Sequence, residues 1–261
     1  MSTSRFIAAA ALLALAACAG PASEADQQTA RIHHDIAINS LDRGDMRGAL
    51  REMLIAADLD PQNPQVQQAL GLVFHAMGHS DEALVHYQKA LELKPAYSEA
   101  HNNFGILLID LGRYDEAIEH FKKALADILY QTPSLAEGNM GWAWYKKGDV
   151  DKARLHLRNA VAQNARFCRG YLWLARIGVD RSEPAEIVTN GKRFEKHCMG
   201  DVALAKTLPA EYVREMQYYL GVGYLKQGDR ESARKAFAAC AVVDASGEFA
   251  PKCVSSLRTL E

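Results

Sequence analysis

What is scarce in this chain of 261 residues narrows its options first. Net charge is nearly absent, since 30 Lys and Arg stand against 32 Asp and Glu and leave a formal −2. A general nucleic-acid binder shows a basic stripe, and that class is excluded. Eight prolines and 18 glycines are too few for a collagen-like fibre, and five cysteines too few for a stapled miniprotein of this length. No CxxC is present, which removes the dithiol redox motif and paired-knuckle zinc spacing. GxSxG, a P-loop, GxGxxG and HExxH are missing as well. Outside one stretch near the N-terminus, no apolar run approaches the roughly 20 residues of a spanning helix. With 49% hydrophobic residues, what remains is a foldable chain of one large domain or two small ones. Five is also an odd number of cysteines, and the remainder needs its own explanation.

The explanation begins at the N-terminus. Arg5 is followed by an apolar run from Phe6 to Ala17, and the sequence Leu15-Ala16-Ala17-Cys18 closes it. A positive charge and a short apolar run predict a secretory signal peptide over residues 1–17. The closing tetrapeptide resembles a bacterial lipobox, which implies acylation of Cys18 and durable anchoring, because several acyl chains at one residue exceed what one can hold. No cofactor is expected beyond that covalent lipid on Cys18. Ala19 rather than Asp at the next position implies, by likeness to enterobacterial lipoproteins, sorting to the outer membrane on its periplasmic side. Residues 18–29 read as an acylated polar tether.

The remainder is periodic. Gly44, Gly78 and Gly112 recur at 34 residues, Gly148 follows after 36 and Gly228 after a further 80. Around them small and large apolar residues keep phase, as in Leu70-Gly71, Phe74, Ala83, Tyr87, Ala90 and then Phe104-Gly105, Leu108, Ala117, Phe121, Ala124. Each unit carries two apolar stripes at helical spacing with a Gly-centred turn between them. The small residues read as helix-crossing points, and Phe74, Tyr87, Phe121 and Trp144 as fillers toward the next hairpin. The pattern resembles the tetratricopeptide repeat. The resemblance implies an all-α fold, a right-handed superhelix of about six helical hairpins with a C-terminal capping helix. Its expected units are residues 30–63, 64–97, 98–133, 134–167, an irregular 168–213 and 214–247, with a cap over 248–261.

Four cysteines remain after Cys18. In an antiparallel hairpin, Cys168 at the start of the irregular repeat's first helix neighbours Cys198 at the end of its second. Cys240 ends the last repeat and Cys253 lies on the capping segment. This favours Cys168–Cys198 and Cys240–Cys253 among three pairings, with four buried free thiols as the alternative.

No catalytic site is expected, and the chain reads as a binding module rather than an enzyme. His75 and His79 share a helix spacing, but no acid completes a ligand set; His33 and His34 point in different directions, and no metal site is assigned. In the tetratricopeptide repeat, set positions of the first helix face the groove. They correspond here to Ile38, Leu41, Leu72, His75, Ile106, Ile109, Trp142 and Tyr145. Ile38, Leu72, Ile106 and Trp142 occupy the position where chaperone-binding relatives keep an asparagine for a terminal carboxylate. A carboxylate is therefore expected to find no partners, and an apolar or amphipathic segment to fit. The alternative is that part of this row packs between hairpins.

A lipobox, six such repeats and cysteines in the last third together resemble the pilotin lipoproteins of type IV pilus systems (the PilF/PilW group), above all its motility lipoproteins. That resemblance implies a monomer when free, anchored to the membrane through its lipid and binding no nucleic acid. It would bind outer-membrane secretin subunits through an apolar or amphipathic segment and promote their multimerisation for pilus biogenesis and motility. A lipoprotein scaffold for another envelope, secretion or polysaccharide-export complex is the alternative.

Overall fold

The structure, a computed structural model, describes residues 22–242 and 247–260. The expected signal segment and Cys18 lie outside the described residues. Among those described there is no strand. The helices are α1 (Glu24–Asp42), α2 (Met46–Leu59), α3 (Pro64–Ala76), α4 (Ser80–Leu93), α5 (Ser98–Asp110), α6 (Tyr114–Leu125), α7 (Pro133–Lys147), α8 (Val150–Gln163), α9 (Cys168–Asp180), α10 (Pro184–Phe194), α11 (Val202–Thr207), α12 (Ala210–Lys226), α13 (Arg230–Val242) and α14 (Phe249–Arg258). A π-helical turn, Glu195–Met199, continues α10. None of these helices is long and apolar enough to cross a membrane.

The hairpins are α1–α2, α3–α4, α5–α6, α7–α8, α9–α10 and α12–α13. Their turns need one residue in the left-handed region, and the periodic glycines supply it at φ between 73° and 97°. Ser182 takes the same role at φ 56°, 34 residues after Gly148. It is the degenerate turn of the irregular repeat, so the additional 12 residues fall after it. The π-helical turn and α11 lie in this longer part, within the unit expected to be irregular, 168–213.

Helices within a hairpin interlock through a glycine. A methyl on Gly71 would come within 2.7 Å of the Tyr87 ring, and one on Gly105 within 2.6 Å of Phe121. Tyr87 and Phe121 thus pack over the glycine of their own hairpin, which corrects their reading as fillers toward the next one. A polar rung joins each of the first four hairpins 19 residues apart: His33 to Glu52, His86 to Gln67, His101 to His120 and His156 to Glu137, all at 2.7–2.9 Å. The rungs satisfy polar groups close to the interior, where an unmatched one costs about 1–3 kcal/mol.

The chain divides into two compact units, up to Ala100 and from His101. In the first, Ala30, Met53, Ala56, Val66 and Leu70 share a core. In the second, a larger core runs from Ala153 to Cys253. Helix α1 begins inside the expected tether, because the Ser23 hydroxyl caps it by accepting from the Asp26 amide. Helix α14 covers the last hairpin where a cap was expected, burying Phe249, Ala250 and Cys253.

Candidate functional site

The first helices of successive hairpins lie side by side, α1 against α3 in one unit and α7 against α9 against α12 in the other. In the first unit Ile38, Leu41, Leu72 and His75 are all half-buried on this face, and Ile38 packs on the core beneath. In the second unit Ile106 is half-buried, but Ile109 is only 6% exposed. Ile109 therefore belongs to the interior and offers a partner no surface, a correction to its place in the expected groove.

Trp142 and Tyr145 on α7 anchor the richest part of the face. Their rings stack at 5.0 Å between centroids, and Trp142 stacks again on Trp173 of α9 at 5.0 Å and 11° between planes. Such pairs add about 0.5–1.5 kcal/mol beyond burial and hold the rings in fixed positions. The Tyr145 hydroxyl donates to Asp180, and burial together with that carboxylate pushes the phenol up from its usual range.

Cations frame these rings. The Arg176 guanidinium lies 5.7 Å from the Trp142 centroid, and the Lys146 ammonium 5.6 Å. Arg169 sits 5.6 Å from the Trp173 ring, and its Nε donates to the Tyr212 hydroxyl at 2.6 Å. Guanidinium and indole faces attract through the ring quadrupole. These cations lie outside the set of face residues expected from the sequence. Counted from the turn at Ser182, Arg176 holds the position that Ile38, Leu72, Ile106 and Trp142 hold in the first four repeats. Trp173, Arg176 and Arg169 escaped the sequence reading because no glycine marked the phase of the fifth repeat. The signal was the 34-residue interval from Gly148 to Ser182.

Behind this face the second unit is fastened by sulfur. Cys168 and Cys198 lie at disulfide distance with Cα atoms 5.9 Å apart, as do Cys240 and Cys253 at 6.0 Å. All four are buried. The first pair joins the start of α9 to the π-helical turn, and the second fixes α14 on α13.

Two stretches of the chain, residues 74–130 and 215–241, match the tetratricopeptide repeat. No curated protein matches the sequence as a whole. Solved structures match the fold. The crystal structure of PilW, described as a widely conserved type IV pilus biogenesis factor, has a TM-score of 0.74 at 23% identity. The alignment covers 87% of this chain and 99% of PilW. PilF of Pseudomonas aeruginosa gives 0.73 at 18% identity, over 89% of this chain and 99% of that one. The Cut9 structure from the APC/C Cut9–Hcn1 hetero-tetramer reaches 0.71 at 16% identity, but the match spans only 43% of its chain. The matches span nearly all of PilW and PilF and less than half of Cut9. Two stretches of the chain thus match tetratricopeptide repeats, and its all-helical fold is similar to that of PilW and PilF.

Proposed function

We propose that this protein is a pilotin of a type IV pilus system, of the motility-lipoprotein kind. It is an outer-membrane lipoprotein that binds secretin subunits and promotes their multimerisation. The observation that carries this reading is the similarity in fold to PilW, a type IV pilus biogenesis factor, and to PilF, over 87% and 89% of this chain and nearly all of theirs. The lipobox at Cys18 supports the location, and the absence of any catalytic motif supports a binding module rather than an enzyme. In this mechanism the acyl chains on Cys18 hold the protein at the inner leaflet of the outer membrane. The Trp142–Trp173 face then holds an apolar or amphipathic segment of a secretin subunit until the ring closes. Arg176 and Arg169 favour a segment that also carries an acidic side chain, since a charge-assisted hydrogen bond is about twice as strong as a neutral one.

Deleting the gene and assaying heat-resistant secretin multimers tests the function. Loss of multimers and pili is expected, and normal multimers would overturn the reading. Replacing Trp142 with Glu tests the surface. The protein is expected to accumulate normally and to lose most of its multimer-promoting activity, whereas full activity would move the binding surface elsewhere.

A further inference from the structure

A cavity of about 560 Å³ opens between α8 and α10, the second helices of adjacent hairpins in the second unit. Its walls include Arg158 and Val161 of α8, Tyr171 of α9, Asn190 and Arg193 of α10, and His197 of the π-helical turn. Sites for small molecules have volumes of this order. Two of the lining side chains are buried polar groups with bonding capacity to spare. Tyr171 is 2% exposed, yet among the described residues its hydroxyl has no hydrogen-bond partner. Asn190, also 2% exposed, donates through Nδ2 to the Glu186 carbonyl at 2.9 Å and to the Glu186 carboxylate at 3.2 Å. Both partners only accept, so the amide nitrogen must face them and Oδ1 is left over. Buried polar groups are normally satisfied, and two such atoms in one cavity point to a ligand.

The charges say which kind. Glu186 lines the cavity too, but its carboxylate is engaged by Arg158 and Asn190. Among the described residues no carboxylate pairs with Arg193. Burial pushes the Tyr171 phenol up and the charge of Arg193 opposes it, so the guanidinium stands near the hydroxyl. The His197 ring stacks on Tyr171 at 6.2 Å and 13° between planes. Its neighbour Cys198 is at disulfide distance from Cys168, which fastens the π-helical turn to the start of α9. Single π-helical turns recur at functional sites.

We propose that this cavity binds the phosphate ester of a polyol, either free or as a lipid headgroup. Arg193 and His197 meet the phosphate, Tyr171 donates to it, and Asn190 Oδ1 accepts from a ligand hydroxyl, with Val161 against the carbon chain. A phosphate offers three oxygens to the donors of Arg158, Arg193 and His197, where a carboxylate offers two. Tyr171 and Trp173 are two residues apart on α9 and point to opposite sides of it. The cavity is therefore separate from the aromatic face and stands whether or not that face binds a secretin.

The probe is glycerol phosphate, titrated by calorimetry into the full-length protein in neutral detergent. Saturable binding is expected, weakened about tenfold by Arg193→Gln. Tyr171→Phe keeps the ring and should weaken it about fivefold. Lys192→Gln removes a charge beside the cavity but outside its lining, and should leave binding unchanged. Absence of saturable binding would leave the cavity to water and overturn the proposal. Equal losses in the Lys192 and Arg193 variants, or no loss in Tyr171→Phe, would overturn it as well. Glycerate bound as tightly would overturn the choice of phosphate. Amide exchange of α10 then separates the two sources, both within the proposal. Slowing with phosphatidylglycerol vesicles but not phosphatidylcholine vesicles, lost in Arg193→Gln, assigns the phosphate to a lipid headgroup. Slowing with soluble glycerol phosphate alone assigns it to a free ester.

Discussion

Ser182 shows how far one residue can depart from a repeat while its backbone does not. A left-handed conformation costs a residue with a Cβ about 1 kcal/mol, and glycine nothing. The Ser182→Gly variant should therefore gain about 0.5 kcal/mol, less than the full strain because the exposed hydrogen bond from Lys226 is lost. A rise of a degree or two in the melting temperature is the expected readout. His120 makes a second prediction. Burial above all, and then the charges of His101, Lys123 and Arg113, pushes its imidazole down to about 4, with Glu116 opposing. In the unfolded chain it titrates near 6.5. Between those values the unfolded state takes up a proton that the fold refuses. The stability is thus complete above pH 6.5, declines through the window and is gone below pH 4. The ring is partly solvated, so screening holds the loss to about 1–2 kcal/mol. His86 shifts in the same direction, by burial and then Lys89. The difference between melting curves at pH 7 and pH 4.5 should be smaller in His120→Gln than in the parent, by the share that His120 carries, and the new amide restores the type of rung seen between Gln67 and His86.

Among the elements, most of the architecture could be read from the chain, and the reasons for the exceptions are physical. Gly44, Gly78, Gly112, Gly148 and Gly228 announced their turns because each needs a backbone conformation that other residues avoid. Ser182 was silent because serine is commonplace at helix starts and loops, and only its φ betrays it. With that phase missing, Arg176 and Trp173 could not be assigned to the first-helix face. Ile109 was assigned to the face by register, but burial depends on how deeply α5 sits, which no local pattern encodes. The start of α1 was hidden by polar composition: Ser23 and Asp26 look like linker residues until the hydroxyl caps the helix. Helix α14 was anticipated from the repeat resemblance, which implies a capping helix, and its stability is testable. Replacing Cys240 and Cys253 with Ser should cost about 3 kcal/mol and speed amide exchange in α14 more than in α7. Equal exchange in α14 would show that apolar packing by Phe249 alone holds the cap.

At the scale of the whole molecule, the two sulfur pairs have a property that neither has alone. Cys168 pairs with Cys198 before Cys240 is reached in the sequence, and Cys240 pairs with Cys253 after both. The loops they close, 30 and 13 residues apart in sequence, neither overlap nor nest. On the proposed export, with Cys18 acylated, a chain emerging N-terminus first would present the other four cysteines in the order in which they must join. Cys168 and Cys240 would each meet their partner as the next thiol to arrive, so oxidation by nearest succession and the pairing by distance coincide. Wrongly joined thiols, which take seconds to hours to reshuffle, have little chance to form. Maturation in cells should therefore need an oxidant but no isomerase. A strain lacking its disulfide isomerase is expected to yield as much correctly bonded protein as its parent, measured by non-reducing peptide mapping, while a strain lacking the oxidant should yield reduced protein that is cleared.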